Sequence, residues 1–186
     1  MYKNCQTESS AQRQRVLEKG LLQMMLHKRY EDISVSDLCE YLHNPRKAFY
    51  RYFTGKDGAM FALIDHTLGD FFQMPVKKQG SGDSALGDLE RFFHFWYEHR
   101  ELLDALQINS LSGILVERAT SFTLHERHMA LQLRHIPPEI HGLAIAFSVC
   151  GLMSVLLQWH QQGFQIPPDK MARLAAEILT KPLLTT

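Results

Sequence analysis

Apolar residues recur along the chain at three- and four-residue intervals. Leu17, Leu21, Met24 and Met25 form one run, Met60, Leu63, Ile64, Leu68 and Phe71 a second, and Met171, Leu174, Ala175 and Ile178 a third. Positions i, i+3 and i+4 share one side of an α-helix, so each run predicts a helix with one buried face. Apolar/polar alternation, the mark of a half-buried strand, is scarce, and the pattern predicts an all-α fold. Punctuation places the breaks. Ser34 to Asp37 carries a capping hydroxyl followed by an acid, which predicts a short helix ending near Leu42. Asn44-Pro45 predicts another, with Asn44 as N-cap and Pro45 in the first turn. Thr54 to Asp57 closes that helix and opens one running from Lys56 to about Gln73. Helical spacing then runs unbroken over residues 85–106, and a long apolar helix is expected from about Glu139 to Gln162. The Gly-, Ser- and charge-rich residues 73–84 read as a linker. Ile-Pro-Pro at 136–138 and again at 166–168 marks two helix starts.

Charge adds an asymmetry. The chain of 186 residues has 20 basic and 20 acidic side chains. Residues 1–56 hold ten of the former and six of the latter, giving +4 there and −4 in the remainder. A basic first third suggests a polyanionic partner. The three cysteines, Cys5, Cys39 and Cys150, form no C-x-x-C, which argues against a disulfide framework and fits a reducing compartment. The polar N-terminal stretch lacks the apolar core of a secretion signal. From Ile140 to Pro168 there is no Asp, Glu, Lys or Arg, and Gly142 to Trp159 is long enough to span a bilayer. That segment has no basic flank, contains Gln158 and ends in His160-Gln161-Gln162, features of a helix buried in protein. A cytoplasmic protein with no membrane partner is expected, with a membrane-anchored sensor as a competing reading.

Two short helices separated by about three residues, behind a longer one, have the proportions of a helix-turn-helix, whose second helix enters the major groove by its N-terminal end. Here that end is Asn44, Pro45, Arg46, Lys47 and Ala48. Arg and Lys can donate to guanine O6 and N7, and the Ala methyl can meet a thymine methyl. Tyr50, Tyr52 and Lys56 would flank the groove and hold phosphates. Phe49 and Phe53 face the other way and are expected in the core. The plain alternative for the whole stretch is a solvated basic face.

Val16 to Met60 resembles the DNA-binding domain of the TetR family of bacterial regulators. The resemblance rests on Ser34-Val35, Leu38-Cys39, and Phe49-Tyr50-Arg51-Tyr52-Phe53 followed by Lys56 and Asp57. It implies base contacts from residues 45 to 48 and phosphate contacts from Ser34, Tyr50, Tyr52 and Lys56. It also implies a helix-turn-helix domain over residues 1–56 and a helical regulatory and dimerisation domain over 57–186. Where the family has Gly in the turn, this chain has His43, and a second family Gly is replaced by Arg29.

Phe92, Phe93, Trp96 and Leu103 could line a cavity for an apolar effector, although aromatic residues are more often plain core. The family resemblance implies such a small-molecule site. Along the charge-free helix, Ala144, Ser148, Gly151, Val155 and Gln158 form a stripe of small or polar residues. Residues Gly151 to Leu179 resemble the C-terminal domain of a Firmicutes-type TetR branch. There the last two helices pair with those of a second copy, which would put Leu174 and Ile178 beside the stripe in a homodimer.

No enzyme is expected, since G-x-S-x-G, Walker and G-x-G-x-x-G motifs are absent from the sequence. Neither His125 with His128 nor His94 with His99 has metal-site spacing, and no metal or cofactor is implied. The sequence therefore predicts a TetR-like regulator, in the commoner case a repressor, binding a near-palindromic double-stranded operator under control of a small molecule. A co-regulator acting through a protein partner, without reading DNA, is the alternative.

Overall fold

The computed structural model describes residues 1–75, 84–125 and 137–180. Most of the expected linker, Ile136 of the first Ile-Pro-Pro and His128 lie outside the described residues. The elements are α1 (Glu8–Met25), a 3-10 turn (Tyr30–Asp32), α2 (Val35–Tyr41), α3 (Arg46–Phe49) and α4 (Lys56–Gln73). They continue with α5 (Ser84–Glu98), α6 (Arg100–Ile108), α7 (Ser112–His125), a second 3-10 turn (Pro138–Ile140), α8 (His141–Gln161) and α9 (Pro168–Thr180). Among the described residues the only extended pairing is an isolated bridge between Tyr2 and Phe53. The fold is all-α.

The chain divides into two compact units. The first contains Met1–Gly69 and Glu101–Leu115, and the second Asp70–Arg100 and Val116–Thr186.

In the first unit α1 buries Leu17, Leu21 and Met25, three residues at four-residue spacing. The same stripe carries Gln14 and Glu18, both almost fully buried, so their polar atoms need partners. Gln14 Oε1 accepts from the Cys5 thiol at 2.8 Å, and both Glu18 oxygens lie within 3.0 Å of His66 Nδ1. Gly20 lets α1 come close: a Cβ there would stand 2.5 Å from a Leu42 methyl. From α4, Ala59, Met60, Ala62, Ile64 and Leu68 complete the core, joined by Phe49 and Phe53 at 0% and 2% exposure. Tyr2 donates to Asp65 at 2.6 Å, and the Lys3 N–H to the Tyr52 carbonyl at 2.9 Å, pinning the first residues alongside the end of the α3 segment.

Asn109, just beyond α6, stitches the end of α1. Its amide donates to the carbonyls of Met25 (3.0 Å) and Ala105 (2.7 Å), and its Oδ1 accepts the Tyr30 N–H at 2.5 Å. Met25 is the last residue of α1, where carbonyls have no partner within the helix.

In the second unit α9 packs along α5. Phe93 meets Trp159 edge-on at 5.4 Å, Trp159 meets Phe164 at 4.5 Å, and Phe72 stacks on Phe122 at 5.3 Å. The Trp159 indole donates to the Ile166 carbonyl at 2.8 Å, fastening the link between α8 and α9. Such edge-to-face pairs each contribute about 0.5–1.5 kcal/mol beyond area burial.

The structure corrects two boundaries. The helix expected over 85–106 is broken at His99, although neither Gly nor Pro is present. At the break the His99 ring Nδ1 sits 2.8 Å from the Phe95 carbonyl, which also accepts the His99 N–H at 3.0 Å, and α6 restarts at Arg100. Also, Pro45 rather than Asn44 is the N-cap of α3, with φ −63° and ψ 138°. Its fixed φ suits both places, and without a capping side chain the first helical position moves to Arg46.

Candidate nucleic-acid interface

The turn between α2 and α3 is a helix C-cap of the Schellman type. The His43 N–H donates to the Glu40 carbonyl at 3.0 Å and the Asn44 N–H to that of Cys39 at 2.8 Å. The motif requires a left-handed residue at its centre, and His43 supplies it at φ 50°. Glycine would do so without the steric cost. The same pair of bonds closes α6 at Ser110 (φ 58°) and α8 at Gly163 (φ 68°).

α2 is fixed at its start by a reciprocal capping box. Asp37 N–H donates to Ser34 Oγ and Ser34 N–H to Asp37 Oδ2, both at 3.1 Å. Lys28 Nζ adds an ion pair to the same carboxylate at 2.8 Å. The Lys28 ammonium first, and then the two Ser34 groups, hold the Asp37 carboxyl down to about 2.

α3 is one turn long. Phe49 turns inward against Phe53 at 5.1 Å, while Arg46, Lys47 and Tyr50 are exposed. Neither Arg46 nor Lys47 forms an ion pair among the described residues. Ser34 and Pro45 are exposed as well.

The remaining sequence-predicted positions have other surroundings. Asn44 and Ala48 are half-buried. Tyr52 is only 8% exposed, its ring packed 6.2 Å from that of Phe53. Lys56 donates to the Tyr30 carbonyl and, at 3.4 Å, to that of Glu31, and its ammonium lies 4.3 Å from the Tyr30 ring centre. Tyr30 in turn donates to Asp57 at 2.5 Å. Burial, followed by the Asp57 hydrogen bond and charge, pushes the Tyr30 phenol far above its ordinary range. Lys56 thus ties the start of α4 to the 3-10 turn.

Two cations that sequence reasoning did not single out lie beside α3. Arg13 of α1 and Arg51, just after α3, line an open cleft of about 260 Å³ together with Leu17, Asn44, Ala48 and Tyr52. Arg51 was visible in the sequence as a fourth cation of the basic stretch. Arg13 was not, because only the packing of α1 on α3 brings it there.

Of the residues expected around an effector, Phe92 is 7% exposed and Phe93, Trp96 and Leu103 are fully enclosed. The first three belong to the second unit and Leu103 to the first. The Trp96 indole N–H has no hydrogen-bond partner. None of the seven residues expected between two copies is buried: Ser148, Gly151, Gln158 and Ile178 are exposed, and Ala144, Val155 and Leu174 are half-buried. His94 pairs with Asp169 at 2.6 Å, and among the described residues no cluster of His, Cys, Asp and Glu is arranged to hold a metal.

A one-turn helix, held across a tight turn by a capped second helix and backed by α1 and α4, defines a helix-turn-helix unit. Joined to the second helical unit, it gives the fold of the TetR-type regulators. A tetR-family transcriptional regulator from Streptomyces coelicolor aligns over 90% of this chain and 78% of its own, at 21% identity and a TM-score of 0.57. The fatty acid degradation regulator FadR from Bacillus halodurans aligns over 98% and 100%, at 13% identity and 0.60. The TetR family repressor AlkX from Dietzia, implicated in biodegradation of n-alkanes, aligns over 89% and 92%, at 17% identity and 0.53. No family model matches the sequence, and no curated protein is recognisably similar to it. At these identities the likeness is one of fold.

Proposed function

We propose that the chain is a cytoplasmic, homodimeric DNA-binding regulator of transcription, acting as a repressor on a near-palindromic operator. The observation that carries this reading is the outward rim of Arg46, Lys47 and Tyr50 on a helix braced from behind by Phe49 and Phe53. Two exposed cations without acidic partners and a phenol suit base edges and phosphates of a major groove. Ser34, whose hydroxyl oxygen caps α2, retains a proton to donate to a phosphate. Two copies related by a twofold axis would place two such rims about 34 Å apart, one turn of duplex.

The exposed face of α8 supports the second copy. Over Pro138–Gln161 the mean hydropathy reaches 2.1 with 17% of the window buried, and Leu143 and Phe147 are 71% and 79% exposed. An apolar face of this kind calls for cover, and the small residues beside it permit close helix approach. An effector is expected in the second unit, whose aromatic core surrounds the Trp96 indole. A co-regulator that acts through a protein partner without reading DNA is the alternative; the left-handed geometry of His43 keeps the turn compatible with the first reading.

The test is selection of genomic fragments by the purified protein, followed by mobility shift with the enriched sequence. A near-palindromic motif should emerge, and Arg46→Ala with Lys47→Ala should abolish the specific shift while the circular dichroism stays helical. Enrichment of nothing, or an unchanged shift by the double variant, overturns the reading.

A further inference from the structure

The cleft between α1 and α3 shares Asn44, Ala48 and Tyr52 with the expected DNA-facing element and adds two cations to them. Arg13 comes from α1, Arg51 from just after α3, and Asn44 from the turn; Val16, Leu17, Ala48 and Tyr52 form the remaining, largely apolar surface. No described carboxylate pairs with either guanidinium, whereas Lys28, Arg29 and Arg91 each have an acid. Two like charges share a concavity with no counter-charge in it, an arrangement that an anion would relieve.

Size narrows the class of anion. Ligand pockets for drug-sized apolar molecules run from about 300 to 1,000 Å³. At about 260 Å³ this cleft falls below that range. At roughly 30 Å³ per water it has room for a tetrahedral oxyanion and a few bridging waters. Guanidinium groups bind such oxygens in pairs, and the Asn44 amide can donate to a third.

We propose that this cleft is a binding site for a phosphate group, clamped by Arg13 and Arg51 with Asn44 at its rim. Because Asn44 and Ala48 belong to the turn and to α3, an occupant touches the element that carries Arg46 and Lys47, so occupancy and the setting of that element are linked. The phosphate can belong to a free phosphorylated small molecule or to a duplex backbone beside the recognition helix. The site stands on its own geometry and does not depend on Arg46 and Lys47 reading bases.

The test has two arms, each comparing the full chain with its Arg13→Gln plus Arg51→Gln variant, whose exposed side chains are not needed for folding. In the first, melting is followed against inorganic phosphate at constant ionic strength, with chloride as the balancing anion. Phosphate at 100 times its dissociation constant should stabilise the parent by about 2.7 kcal/mol, a hundredfold shift in the folding equilibrium, and leave the variant unmoved. In the second, binding to a duplex of arbitrary sequence is measured from 50 to 200 mM salt. Loss of one backbone phosphate contact should reduce the log–log salt slope by about 1. A phosphate response with an unchanged salt slope identifies a free phosphate compound as occupant, and a slope reduced in the variant identifies the backbone. Parent and variant behaving alike in both arms overturns the proposal. Failure of the DNA reading alone would show as no duplex binding by the parent with the phosphate response intact.

Discussion

Replacing Asn109 by Ala tests whether the end of α1 depends on one side chain. The substitution removes three hydrogen bonds, to the carbonyls of Met25 and Ala105 and from the N–H of Tyr30. Ala105 retains the Asn109 backbone N–H at 3.3 Å, so its carbonyl keeps a partner. The Met25 carbonyl and the Tyr30 N–H are left unpaired at a half-buried position. Each such group costs about 1–3 kcal/mol when buried, and partial access of water favours the lower end, so the sum is about 2–3 kcal/mol. For a chain of this size, 1 kcal/mol moves Tm by about 2–4 °C, so Tm should fall by about 4–12 °C. Thermal denaturation followed by circular dichroism reads this, at fixed protein concentration because assembly also contributes to Tm. Gln107→Ala, an exposed neighbour on α6, should stay within about 0.5 kcal/mol of the parent. Hydrogen exchange at the Tyr30 amide should accelerate strongly in the Asn109 variant. A Tm loss below about 2 °C, or an unchanged Tyr30 amide, would refute the reasoning.

Three further outcomes follow from the same geometry. His43→Gly should raise stability by about 0.5–1 kcal/mol, because the left-handed strain of about 1–2 kcal/mol disappears while glycine's extra chain entropy takes back part of it; a lower Tm would contradict this. The Asp37 carboxyl, depressed from the ordinary 3.8 to about 2, stabilises the fold above the unfolded value, and that contribution is lost as pH falls through about 2. Carboxyl-carbon NMR should show its midpoint near 2 in the parent and higher in Lys28→Ala, and an unmoved midpoint would remove Lys28 as the cause. Phe147→Asp, on the exposed face of α8, should convert a dimer into a monomer by light scattering with helicity retained, and a persistent dimer would place the interface elsewhere.

The local part of this fold was legible because it is written in short-range chemistry. Ser34 and Asp37 are a capping box three residues apart, and α4 spans Lys56–Gln73 as its periodicity requires. Phe49 and Phe53, four apart, are both buried, as their shared helical face predicts. What was not legible depends on distant groups. Lys56 and Tyr52 look like surface groups until the Tyr30 carbonyl and the α3 core take them up. Arg13 lies 38 positions before Arg51 and lines the same cleft only because the chain folds α1 back beside the turn and α3. The apolar sequence of α8 likewise does not say which face its own chain covers and which is left for a partner.

The brevity of α3 sets a limit of a different kind. On the proposed DNA-reading function, three exposed side chains, Arg46, Lys47 and Tyr50, would each settle at most one base pair, or about two bits, by direct contact. A symmetric pair of subunits then reads about twelve bits, while singling out one address among about 10⁶ competing sites takes roughly twenty. The deficit of about eight bits has to be made up by duplex shape or by several operator copies side by side. If the chain reads DNA as proposed, so short a reading element would suit clustered or repeated addresses, and a lone, ordinary-shaped half-site pair should be hard for it to find.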